Sequence, residues 1–158
     1  MSVSMAPRFS MTANEILSVD AASNASVQHS GFNGTLTLNG SSTPPLTMVS
    51  YQVYTLSGGA ATIDLTAVLG VNDVAQDATG LKVQTMIVYN PSSNAITIAP
   101  GASNAYALFG SGNSIEVPPG GRQQFYFADG TPDVAAGVKE IDLSGTGTDT
   151  IQIGFGLG

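Results

Sequence analysis

The sequence predicts an all-β fold, an antiparallel β-sandwich with a jelly-roll-like arrangement of about nine or ten short strands. Two observations lead to this prediction. Apolar residues recur at every second position, the period of a half-buried strand, and no long segment has the period of 3.6 that marks a helix. Turns rich in glycine and proline separate the apolar segments at short intervals. An immunoglobulin-like sandwich is the alternative, because periodicity does not define the order of the strands in the sheets.

The N-terminal part is predicted to contain an arm and two short strands. Residues 1–13 lack periodicity and form the predicted arm, which precedes a single domain of residues 14–158. Residues 14–19 predict the first strand of that domain. Leucine alternates with threonine within residues 34–40, which predicts a second strand that ends before Pro44 and Pro45.

The remaining strands are predicted from residue 47 onward. Residues 66–69 are predicted to form one helical turn closed by Gly70, with a loop after it. Alternation between residues 123 and 128 places Phe125 and Phe127 on one face of a strand and Tyr126 on the other. The predicted strands are residues 47–56, 60–65, 81–89, 95–99, 114–117, 123–128, 139–143 and 149–154.

The composition limits the classes of function. The chain has 158 residues, which suits one domain with a real core. Only 9% of the residues are charged, and the net charge is −7. Binding to a nucleic-acid backbone needs clustered lysine and arginine, so we predict no nucleic-acid partner. No run of about 18 apolar residues occurs, and no membrane association is predicted.

Few residues are suited to catalysis. The chain has no cysteine and one histidine, His29, and it lacks the Gly-x-Ser-x-Gly turn and the glycine-rich phosphate-binding loops. Two loops, 73–77 and 129–133, each carry two aspartates, but neither has the spacing of a known calcium loop. We therefore predict no catalytic residue, no metal site and no cofactor, and a protein that is not an enzyme.

Surface chemistry predicts an interface with other protein chains. The strand edges have few charges to block pairing, because Arg8, Lys82, Arg122 and Lys139 are the whole set of basic residues. This predicts a homo-oligomer, a dimer or a trimer. Aromatic residues could alternatively form a sugar-binding platform, although the chain has no tryptophan. The candidate interface residues are Tyr51, Tyr54, Tyr106, Phe109 and Tyr126.

A series of short strand-and-turn phrases runs from residue 63 to the C-terminus. They are IDLT at 63–66, GLKVQ at 80–84, NPSSNAITI at 90–98, FG at 109–110 and IEVPPGG at 115–121. These phrases resemble those of small all-β virion proteins of tailed bacteriophages. The resemblance implies a structural part of the particle, such as a capsid decoration (cement) protein or a fibre or spike component. The resemblance implies no active-site residues for this chain.

The expected function is therefore that of a structural virion protein, a capsid decoration or cement protein that stabilises the shell by protein–protein contacts. The expected partners are the major capsid protein or other virion proteins. Residues 1–10 lack the apolar core of a signal peptide, so we expect assembly in the host cytoplasm and a final location in the virion. The alternative is a fibre, spike or adhesin-type module that recognises carbohydrate.

Overall fold

The computed structural model describes residues 4–6, 8–11, 14–17, 25–28, 32–35, 37–70 and 73–158. Their regular secondary structure is entirely β-strand, which confirms the predicted all-β class. Neighbouring strands in the sheets are antiparallel throughout the described part. The strands are β1 (Ser4–Met5), β2 (Arg8–Met11), β3 (Asn14–Leu17), β4 (Ala25–Gln28), β5 (Phe32–Thr35), β6 (Leu38–Asn39), β7 (Met48–Thr55), β8 (Ala60–Asp64), β9 (Val68–Leu69), β10 (Ala75–Gln76), β11 (Val83–Tyr89), β12 (Ile96–Pro100), β13 (Ile115–Val117), β14 (Arg122–Tyr126), β15 (Glu140–Ser144) and β16 (Thr150–Leu157).

Two four-stranded sheets form the sandwich. Sheet I has the order β14-β11-β16-β7, and sheet II has the order β13-β12-β15-β8. Each strand of the first half pairs with its counterpart from the second half: β7 with β16, β8 with β15, β11 with β14, and β12 with β13. The chain is thus one long antiparallel hairpin that is rolled up on itself. This is the topology of a jelly roll, which confirms the preferred prediction over the immunoglobulin-like alternative.

The core lies between the two sheets. On β16, one of the two central strands of sheet I, every second side chain points inward, and Ile151, Ile153, Phe155 and Leu157 are fully buried. From sheet II, Ile98, Ile141 and Leu143 close the core on the other side. Burial of such a side chain contributes about 1.5–3 kcal/mol, so this alternation accounts for much of the sandwich's stability.

The other strands form two-stranded sheets, so the strand count exceeds the prediction. The pairs are β1 with β6, β2 with β5, β3 with β4, and β9 with β10. Within the predicted arm, Ser4–Met5 pairs with Leu38–Asn39 and Arg8–Met11 pairs with Phe32–Thr35. His29 lies outside the described residues.

Two local predictions are wrong. Residues 66–69 contain β9 instead of a helical turn, because the Asp64 carboxylate accepts hydrogen bonds from the Thr66 backbone and hydroxyl and closes a tight turn just before the strand. The last strand continues past residue 154 to Leu157. Its glycines interrupt the apolar pattern on the outer face only, while Phe155 and Leu157 continue the inner one.

Candidate interaction face

The outer surface of sheet I carries most of the exposed large apolar side chains of the described part. Tyr51 is 54% exposed, Val53 49%, and Ile87 and Tyr126 40% each; Val74, on a loop, is the fifth such residue. The strand register places the outward residues of sheet I in three rows across the strands. We call this surface the aromatic face; its rows are Tyr126-Thr85-Gly156-Val49, Gln124-Ile87-Gly154-Tyr51 and Arg122-Tyr89-Gln152-Val53.

The aromatic face has one charged residue and no carboxylate. The guanidinium of Arg122 lies 4.1 Å from the centre of the Tyr89 ring, a cation–π contact. No carboxylate among the described residues lies within ion-pair distance of Arg122. By contrast, Lys82 contacts Asp129 at 2.7 Å and Lys139 contacts Asp64 at 2.6 Å. Arg122 is therefore a local positive charge on a strongly acidic molecule.

The outer surface of sheet II has the opposite character. We call it the acidic face, because Asp64, Glu116, Glu140 and Asp142 lie on its outward rows. Lys139 offsets one of these charges. Burial alone would raise the pKa of the Asp64 carboxyl, but hydrogen bonds from Lys139 and Thr66 hold that pKa below its ordinary value. The two outer sides of the sandwich thus differ sharply in charge and in apolar surface.

A groove of about 450 Å³ crosses the aromatic face. Its walls are Tyr51 from β7 on one side and Ile87 and Tyr89 from β11 on the other. Its floor is Gly154, which lies between them on β16 and has no side chain. The Tyr51 hydroxyl donates a 2.7 Å hydrogen bond to Oε1 of Gln152, which holds the tyrosine ring along the groove.

The structure brings two of the five candidate interface residues onto this face, Tyr51 and Tyr126. Tyr54 points the opposite way from Tyr51, and burial raises the pKa of its hydroxyl to about 12. Tyr106 is fully buried, where its hydroxyl donates to the Pro132 carbonyl. Phe109 packs edge-on against the rings of Phe125 and Phe127, with centroids 5.2 and 5.7 Å away. Tyr54, Tyr106 and Phe109 therefore pack in or against the core and do not belong to the aromatic face.

The other members of the face are not among the candidates. Those that matter most for its surface are Val53, Ile87, Arg122 and Gly154. Alternation along each strand predicts which residues share its outer side, and that signal was available for Ile87 within residues 81–89. What alternation cannot predict is the neighbour across the sheet. Strand order and register bring Gly154 between Ile87 and Tyr51, and both depend on the folded topology.

The two aspartate-bearing loops have local roles. Asp129 binds Lys82, and Asp77 accepts hydrogen bonds from the backbone and hydroxyl of Thr79. Across the described ranges, no group of three or more histidine, cysteine, aspartate or glutamate residues could hold a metal ion. The same ranges contain no helix that could cross a membrane.

Comparisons with known proteins leave the family open. The sequence matches no protein-family model, and searches of curated proteins and of solved structures give no significant match.

Proposed function

We propose that this chain is a structural virion protein of a tailed bacteriophage, a capsid decoration protein that binds the assembled shell through its aromatic face. The single observation that carries the proposal is the outer surface of sheet I, which is apolar and has no carboxylate, opposite the acidic surface of sheet II. The cores of protein interfaces are rich in aromatic residues and poor in charge. The acidic face is then the side turned to solvent.

Three further features support a structural role. Jelly rolls occur in viral capsid proteins, although lectins and cupins share the fold, so fold alone does not decide the function. The phrases from residue 63 onward resemble small phage virion proteins, which favours the capsid among these classes. A fully buried core beneath sheet I also makes the face rigid before binding, which lowers the entropic cost of association.

Decoration would stabilise the shell by mass action. A protein that binds the assembled form and not the free subunits shifts the equilibrium toward assembly, by about 2.7 kcal/mol per site at a concentration 100 times its dissociation constant. Many equivalent sites on a shell multiply this effect. No catalytic group is required.

A carbohydrate-binding module is the second candidate function. The observation that favours it is the proximity of polar groups to tyrosine rings of the aromatic face. The exposed Tyr51 bonds Gln152, and Arg122 lies over the half-buried Tyr89. Rings with adjacent hydrogen-bonding groups can stack on sugars and orient them. Saturable binding on a glycan array that Tyr51→Ser abolishes would favour this function over decoration.

Cosedimentation with phage heads tests the proposal. Heads of a phage whose genome encodes the chain are prepared without this protein and mixed with wild type, with Y51S/V53S, or with the acidic-face control E116Q/T62S. We expect saturable binding of wild type and control to assembled heads, little binding to free capsid subunits, and at least about a tenfold loss for the aromatic-face variant. Equal loss in the control, or no binding of wild type, would refute decoration through this face.

A further inference from the structure

We propose that the groove over Gly154 binds an extended segment of a partner protein that presents an apolar side chain and, two residues away, a carboxylate. The inference deepens the proposed function and rests on it only for the identity of the partner as a shell protein. The chemistry follows from three features of the aromatic face: the glycine floor, a filled neighbouring site, and the position of Arg122.

The glycine at position 154 is not required by the backbone or by close packing beneath it. Its φ is outside the left-handed region, and an added Cβ would lie 3.5 Å from the Ser50 carbonyl oxygen and 3.6 Å from Cδ2 of Tyr51, which are ordinary contacts. Glycine weakens a strand interior, and it often marks a place where a ligand or another chain approaches closely. At Gly154 the missing side chain opens the groove.

Gly156, the next glycine on the outer side of β16, shows which side chains can occupy the space above a glycine of this face. At Gly156 an added Cβ would lie 3.0 Å from Cδ1 of Leu46 and 3.1 Å from Sδ of Met5. Both side chains come from outside the sandwich, and Met5 lies on β1, an extended segment. The chain therefore fills one glycine site of this face with its own apolar side chains. The site at Gly154 lies on the same strand and the same face. Apart from its chain neighbours, only Ser50 and Tyr51 among the described residues come within 4 Å of a Cβ added there, and Met5 also lines the groove. An apolar side chain of another chain therefore fits this site.

Arg122 supplies the second element of recognition. Its guanidinium lies over Tyr89, which pairs with Gln152, one row along the sheet from Gly154. Successive rows are about 6.6–6.8 Å apart, which is also the spacing of side chains i and i+2 on one side of an extended chain. A partner strand that places an apolar side chain over Gly154 thus brings residue i+2 near the guanidinium. A carboxylate there completes a charge-assisted pair that the described residues leave open.

Titration with short peptides, followed by NMR, tests the inference without any capsid. The probe is a capped pentapeptide with leucine at its second position and glutamate at its fourth; the matched peptides carry glutamine for glutamate, or alanine for leucine. We expect saturable shifts of the Gly154 amide and the Arg122 Nε resonances with the first peptide. Each replacement should weaken binding by at least about fivefold, the scale of one charged or one apolar contact.

Variants of the protein separate the two contacts. G154V fills the groove and should abolish binding; if it folds poorly, G154A, whose Cβ fits, should weaken binding measurably. R122Q should bind the glutamate and glutamine peptides equally. The controls are G137A, at a loop glycine with open space around it, and K139Q on the acidic face, and both should bind as wild type does.

The outcomes distinguish this inference from the proposed function. No saturable shift at about 5 mM peptide, a level that detects millimolar affinity, overturns the inference, as does an R122Q protein that still prefers glutamate. Head binding without peptide binding leaves decoration standing and refutes this contact chemistry. Peptide binding without head binding supports this contact chemistry and refutes decoration.

Discussion

At the scale of single residues, two side chains of the same type can contribute differently to stability. Tyr54 and Tyr106 both place a hydroxyl inside the protein. The hydroxyl of Tyr106 accepts the Val83 N–H at 3.0 Å and donates to Pro132 at 2.8 Å, whereas the buried hydroxyl of Tyr54 has no hydrogen-bond partner among the described residues. A buried polar group is stabilising only when its bonds are made, so the two tyrosines should respond differently to loss of the oxygen.

The first prediction concerns this pair. Tyr106→Phe leaves the Val83 N–H and the Pro132 carbonyl without a partner and should lower the free energy of unfolding by about 1–3 kcal/mol. Tyr54→Phe removes a desolvated group and should be neutral or stabilising. Urea unfolding of the two variants at pH 7 checks the difference. A larger loss in the Tyr54 variant would contradict the hydrogen-bond assignment.

The second prediction concerns the two glycines of β16. Gly156→Ala places a Cβ 2.7 Å from Cγ2 of Thr85 and should cost about 1–3 kcal/mol by overpacking. Gly154→Ala meets ordinary contacts and removes the conformational freedom of glycine, so it should stabilise the fold by about 0.5–1 kcal/mol. Thermal melts of both variants measure the sign of each effect. The same sign at both positions would mean that the two glycines do not differ in how closely their neighbours pack.

At the scale of strands, the sequence correctly predicts that a strand such as β16 exists and which of its faces is buried. It predicts the ends of the strand less well. The apolar alternation in residues 149–154 correctly identifies β16 and its buried side. The strand continues to Leu157 because Phe155 and Leu157 are buried, and the intervening glycines conceal this in the sequence. The strand order is not encoded in local periodicity at all, because it depends on which distant segments bury each other's inner faces.

A third prediction follows for β16. Phe155→Ala removes a fully buried ring from a central strand of sheet I and should lower the free energy of unfolding by about 3–5 kcal/mol. Thr150→Ala, at an outward position of the same strand, should stay within about 0.5 kcal/mol of wild type. The denaturant concentrations at which the two variants are half unfolded show how much the inner and the outer side of β16 contribute to stability. Similar losses would mean that the two sides of β16 are equally buried, which contradicts the alternation.

At the scale of the whole molecule, charge is distributed by face. The acidic face and the loops carry carboxylates, so two copies that meet through these surfaces would repel each other at neutral pH. The aromatic face carries no carboxylate, and repulsion there would be weaker. The low overall charge of the sequence predicts an interface but not its position. The aromatic face exists only because β7, β11, β14 and β16 pair, which brings positions without a carboxylate from four separate segments onto one surface.

The fourth prediction uses this distribution. Lowering the pH toward the isoelectric point of about 4.1 removes the repulsion between copies and should promote self-association through the aromatic face. Light scattering between pH 7 and pH 4 should show a rise in mass for wild type and a smaller rise for Tyr51→Ser. An identical rise in both proteins would place self-association elsewhere on the surface.

The rolled hairpin also has a consequence for the order of folding. The strand pairs are nested along the sequence. The pair β12 and β13 closes a short loop, whereas Met48 of β7 and Leu157 of β16 pair although they stand at opposite ends of the sequence segment that forms the sandwich. Loop closure costs more entropy as the loop lengthens, so we expect pairing to start at the hairpin tip and to reach β7 and β16 last. The groove over Gly154 needs both of these strands. A copy that has not finished folding therefore lacks the groove.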